Sequence, residues 1–68
     1  MVGTITLTKG LSVDCSVRNL SPAGAALWLK NSLNLPMKFD LHFDNVTRHC
    51  IVEWRRPYWM GVRFKSVL

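Results

Sequence analysis

Polar and apolar residues alternate with a period of two in six short stretches of this chain, and no stretch sustains a helical period. A pleated strand sends successive side chains to opposite faces, so this alternation is the mark of half-buried β-strands. Thr4-Ile5-Thr6-Leu7-Thr8 alternates cleanly, is rich in β-branched residues and runs into a Lys9-Gly10 turn. From Ser12 to Arg18, one face holds Val13, Cys15 and Val17 and the other Ser12, Asp14, Ser16 and Arg18. Ala25 to Leu29 groups Ala25, Leu27 and Leu29 opposite Ala26 and Trp28. Met37 to Phe43 groups Phe39, Leu41 and Phe43. Thr47 to Arg55 sends Cys50, Val52 and Trp54 inward, and Tyr58 to Phe64 does the same with Met60, Val62 and Phe64. Turn chemistry separates these runs at Asn19 to Gly24, Lys30 to Pro36, Asp44-Asn45 and Arg56-Pro57. The pattern predicts an all-β fold, a small six-stranded antiparallel barrel with little or no helix. Closing the sheet also removes the exposed edges that a small protein can least tolerate. The tail from Lys65 to Leu68 is too short to dock as a helix.

Size narrows the function. The 68 residues make one domain spanning residues 1–68. A chain of this length buries only about 60% of its unfolded surface. It has no room for a second domain, a cofactor cavity and a catalytic lid together. The expectation is a binding module, not an enzyme, with no cofactor. A composition of 49% hydrophobic and 19% charged residues belongs to a folded chain, not a disordered one. Nine Lys and Arg against four Asp and Glu give a net charge of +5, a field that attracts phosphates, anionic lipids or acidic partners. The basic residues are dispersed, with only Arg55 and Arg56 adjacent, so a basic patch exists only if the fold gathers one. There are two cysteines, no charged segment leading into an apolar run, and no long apolar window. These features predict a reduced, cytoplasmic protein without a membrane span.

Few residues invite chemistry. The spacing of Cys15, His42, His49 and Cys50 fits no zinc pattern, so no metal site is expected. Ser21 has no evident His-plus-carboxylate pair, and no catalytic residue is assigned. Trp54 is in phase with the core. Trp28 and Trp59 are out of phase, which leaves three roles open: stacking a base, covering a barrel end or meeting a partner. The informative segment is Asn19-Leu20-Ser21-Pro22-Ala23-Gly24, preceded by Arg18. The Asn19 amide and the Ser21 hydroxyl can both turn outward toward a planar ligand. Gly24, lacking a Cβ, permits positive φ or close approach of a ligand. An ordinary Ser- or Asx-stabilised turn with a bulge glycine explains the same spacing.

The segment resembles the D/N-x-S-x-x-G motif of the PilZ domain family. The likeness runs on through Val13-Asp14-Cys15-Ser16-Val17-Arg18 before the motif and Gly24-Ala25-Ala26-Leu27 after it. Pro36-Met37-Lys38-Phe39-Asp40-Leu41 resembles the fourth strand of that family. Cys50-Ile51-Val52-Glu53-Trp54-Arg55 and Met60-Gly61-Val62-Arg63-Phe64 resemble its closing pair, where V-x-W-R and I/L-G-V-x-F are common. The resemblance covers roughly residues 4–65. It implies a bacterial six-stranded barrel that binds cyclic di-GMP, with Asn19 and Ser21 contacting guanine, Gly24 letting the base approach, and Arg18 beside them.

The chain departs from the family at one important place. Ligand-binding members carry R-x-x-x-R just before the first strand, and none occurs in this sequence, where only Met1, Val2 and Gly3 precede the expected strand. Hydrogen bonds to charged groups contribute ~1.5–3 kcal/mol each. Two missing contacts therefore remove about two to four decades of affinity. Asn19 also stands where many members have Asp, and the C-terminal helix often seen in the family is missing. The resemblance thus implies a second-messenger binding module with weak or lost affinity for cyclic di-GMP. The alternative is a ligand-independent adaptor that meets an unidentified protein partner through Trp28 or Trp59. A small nucleic-acid-binding barrel is a further alternative, opposed by the dispersed basic residues.

Overall fold

The computed structural model of the protein describes residues 1–30 and 32–65. The expected tail beyond Lys65 lies outside the described residues, as does residue 31 in the long loop. Six strands form: β1 (Val2–Thr6), β2 (Ser12–Arg18), β3 (Gly24–Trp28), β4 (Lys38–Phe43), β5 (Val46–Arg55) and β6 (Trp59–Phe64). They close into an antiparallel barrel in the order β1-β2-β3-β6-β5-β4. The only helical turns among the described residues are two 3-10 turns, Thr8–Gly10 and Ser32–Asn34. The all-β barrel is therefore the architecture, and its core is the inward set of each strand. Ile5, Leu27, Leu41 and Met60 are fully buried, packed with Val17, Phe39, Val52, Val62 and Phe64. Cys15 and Cys50 lie in this core as free thiols.

Local chemistry explains the turns. Asp44 and Asn45, with φ of 51° and 62°, connect β4 to β5 in a two-residue hairpin of the kind that needs positive φ at both positions. Asn and Asp tolerate this region better than other side-chain-bearing residues. Gly10, at φ 76°, closes the turn after β1, and the Leu7 amide donates to the Leu11 carbonyl at 2.7 Å.

Two expectations need correction. The first strand runs over Val2–Thr6, not from Thr4 to Thr8, and Val2 and Gly3 pair with Ser16 and Cys15. Gly3 hid this extension because it shows no side-chain alternation. A Cβ there would come within 2.8 Å of Val17 Cγ2 and 3.1 Å of Leu41 Cδ1, so core side chains already fill its inner face. The second correction is Trp54, which is not a core residue and is 41% exposed. The register of β5 against β6 shifts between Val52 and Trp54. Glu53 is the extra residue of a β-bulge, and one extra residue reverses the phase of those after it. Val52 still points inward opposite Val62, while Trp54 faces Gly61 on the outer surface.

Candidate functional site

The outer surface of β2, β3, β6 and β5 carries the residues of interest in two rungs. In one, Arg18 pairs with Ala26, Ala26 with Gly61, and Gly61 with Trp54. In the next, Ser16 pairs with Trp28 and Trp28 with Trp59. The rungs interlock through their aromatic rings. Trp28 stacks on Trp59 at 4.9 Å between centroids, and Trp54 meets Trp59 edge-on at 4.7 Å. The Arg18 guanidinium sits 5.7 Å from the Trp28 centroid, within the range of a cation–π contact.

Small residues make room for the rings. A Cβ on Gly61 would collide with Nε1, Cε2 and Cζ2 of Trp54, so the indole covers the glycine. Ala26 is buried although it belongs to the outer set of β3 and lies outside the core cluster. Beside them opens a groove of about 470 Å³, bordered by Asn19, Ser21, Gly24, Trp54, Gly61 and Arg63. Glu53 also borders it, and Arg63 Nε lies 3.5 Å from Glu53 Oε1. Both side chains are about half exposed, so water screens their attraction and leaves both free to meet a ligand.

The turn residues identified in the sequence lie at the rim of this groove. Asn19 is exposed and takes the left-handed conformation, at φ 52°. Ser21 folds back on its own turn: its hydroxyl accepts from the Ala23 and Gly24 amides at 3.3 Å and donates to the Gly24 carbonyl at 3.3 Å. The Ser21 amide donates to the same carbonyl at 2.9 Å. These are the bonds of the turn-stabilising reading. Gly24 is not at positive φ. It approaches the β6 backbone so closely that a Cβ would collide with the Val62 carbonyl. Its lack of a side chain therefore serves the β3–β6 contact first.

The remaining candidates separate. Trp28 is 41% exposed and Trp59 half-buried by its two ring partners, so both are outward, as their phase predicts. Arg55 is occupied elsewhere: its Nη1 donates to the carbonyls of Ser32 at 3.1 Å, Leu33 at 3.3 Å and Leu35 at 2.6 Å. Glu53, Trp54 and Gly61 escaped sequence reasoning as groove residues. Gly61 was the available signal, because a glycine inside a strand marks a bulge or a close approach.

A larger depression, about 680 Å³, spans Thr6, Lys38, Asp40, His49 and Lys65. It contains an Asp40–His49 pair, and Phe39 at its floor is buried, so it offers no exposed aromatic ring and none of the turn residues. His42 bonds Thr47 at 2.7 Å, and no three metal-ligating side chains converge among the described residues. Comparison of the chain with protein-family models, curated proteins and solved structures finds no match.

Proposed function

We propose that this protein is a PilZ-like binding module of bacterial second-messenger signalling, with its outer groove shaped for the guanine base of cyclic di-GMP and its affinity weak. The observation that carries the reading is the Asn19–Gly24 turn standing at the rim of a groove that also contains Trp54, Glu53 and Arg63. A purine needs a flat apolar surface, and stacking on an aromatic ring contributes ~1–3 kcal/mol per base. Trp54 lies against Gly61 and remains 41% exposed. Guanine presents acceptors at O6 and N7 and a donor amino group at N2. Arg63 matches the acceptors and Glu53 the donor, with the Asn19 amide able to serve either. Adenine presents an amino group where guanine has O6, so the same pair discriminates against it.

Weakness follows from the cations. The groove itself contains one arginine, Arg63, while Arg18 is drawn to the face of Trp28. Two phosphates therefore meet fewer guanidinium groups than the R-x-x-x-R motif supplies. Calorimetric titration with cyclic di-GMP and cyclic di-AMP is the test. The expected result is weak heat for the guanine ligand alone, abolished by Arg63→Met and reduced by Asn19→Ala. Tight binding, or equal binding of both nucleotides, contradicts the reading.

The stacked Trp28–Trp59 pair favours a second reading, an adaptor that meets a protein without a nucleotide. In that case Trp28→Ala abolishes partner capture and Asn19→Ala does not.

A further inference from the structure

Three loops at one end of the barrel hold basic residues and no acids. Because every neighbouring strand pair is antiparallel, the β1–β2, β3–β4 and β5–β6 connections leave from the same end. Hydrogen bonds tie two of them together: the Leu29 amide donates to the Tyr58 carbonyl at 2.9 Å, and the Ser32 amide to the Pro57 carbonyl at 3.2 Å. Leu7 and Thr8 of the first connection border the same depression as Pro36 of the second. In sequence the three loops hold Lys9, Lys30 and Arg56 and no Asp or Glu. The loops of the opposite end, residues 19–23 and 44–45, hold Asp44 and no Lys or Arg.

The cationic end also carries large apolar side chains at its tips. Leu11, Leu33, Met37 and Tyr58 are 63%, 58%, 57% and 65% exposed. They come from all three loops. Val2, Leu20 and Val46 are exposed toward the other end, where Arg48, beside Leu20 and Val46, lies over the Phe64 ring and the 44–45 loop adds an acid, Asp44. Exposed apolar tips set among basic residues need a partner that is apolar beneath, anionic at its face and able to adapt to separate projections. A lipid bilayer with anionic headgroups has all three properties. Leu and Met enter the acyl boundary, Tyr sits at headgroup level, and Lys and Arg remain with the phosphates.

We infer that this end of the barrel docks onto an anionic lipid surface. The apolar tips and the basic residues act as the two weak signals that together give stable peripheral attachment. No helix among the described residues is long and apolar enough to cross a membrane, so the contact is with the surface. The inference does not depend on the groove, which lies on the barrel wall.

Co-sedimentation of the full chain with vesicles tests it. Vesicles of phosphatidylcholine mixed with phosphatidylglycerol should retain the protein, and vesicles of phosphatidylcholine alone should not. Each basic residue near such a surface contributes about fivefold in affinity, so Lys30→Gln with Arg56→Gln should weaken binding roughly 25-fold. Leu33→Ser with Met37→Ser should weaken it at unchanged net charge. Both pairs are exposed, and circular dichroism checks that the barrel persists. Arg18→Gln with Arg48→Gln removes the same charge beside the 19–23 loop, at the opposite end, and should cost much less. Equal loss in the two charge pairs, unchanged binding in Leu33→Ser/Met37→Ser, or no binding to anionic vesicles at low salt overturns the inference. Capture of a protein by this end without vesicle binding overturns it equally.

Discussion

Gly61 decides whether the outer groove exists. Its missing side chain lets the Trp54 indole lie on the barrel wall, and a methyl there meets three ring atoms. Gly61→Ala should therefore cost about 1–3 kcal/mol, the usual range for overpacking, and displace Trp54. Urea melts give the first quantity and indole fluorescence reports the second. Gly24→Ala should cost more, because the obstacle is the Val62 carbonyl of the backbone and not a movable ring. Burial dominates the two thiols. It pushes Cys15 up to about 11, with the Asp14 charge adding to the rise and a backbone hydrogen bond from Gly3 opposing it. It pushes Cys50 up to about 12 despite the opposing charge of Arg48, with Asp40 and Cys15 adding to the rise. The folded state thus favours the protonated thiol. This contribution to stability is intact below the ordinary value of 9.0 and is lost as pH rises from there through about 11 and 12. Urea melts between those limits should show a smaller decline for Cys50→Ala than for the parent.

Among elements, the β5 bulge shapes the site, and the β3–β4 loop is built apart from it. Alternation located β5 correctly and placed Cys50 and Val52 inward, as they are. It failed at Trp54 because period two contains no mark for an inserted residue. The register is a relation between β5 and β6, and one strand's sequence does not contain it. Deleting Glu53 should remove the bulge, turn the following side chains over and force Trp54 toward the core; a lowered melting temperature and a shifted indole emission are the expected signs. The loop was legible only as a loop. Its order comes from Arg55, whose guanidinium reaches three carbonyls through Nη1 and Pro36 and Met37 through Nη2. Arg55→Ala should cost about 1.5–3 kcal/mol, the scale of hydrogen bonds to a charged group. Lysine should not restore it, since an ammonium has no planar fork to span several carbonyls. Urea denaturation of both variants checks this.

For the whole molecule, the sequence made the barrel legible because six alternating runs, positive-φ turn residues and a small size all point to one closed sheet. The turn was legible too, since Asn19, Ser21 and Gly24 are local. The groove was not. Arg18, Ala26, Gly61 and Trp54 are neighbours only through the pairings of four strands, and two of those strands lie far along the chain. The same closure brings three acid-free loops to one end, a grouping that their order along the chain conceals. The central claim is that the groove beside Asn19–Gly24 is the ligand site. Backbone and indole amide NMR spectra, recorded during addition of cyclic di-GMP, test it most directly. The account predicts progressive, fast-exchange shifts confined to Asn19, Gly24, Gly61, Arg63 and the Trp54 indole. Shifts centred on Lys38, His49 and Lys65, or none at saturating ligand, would contradict it.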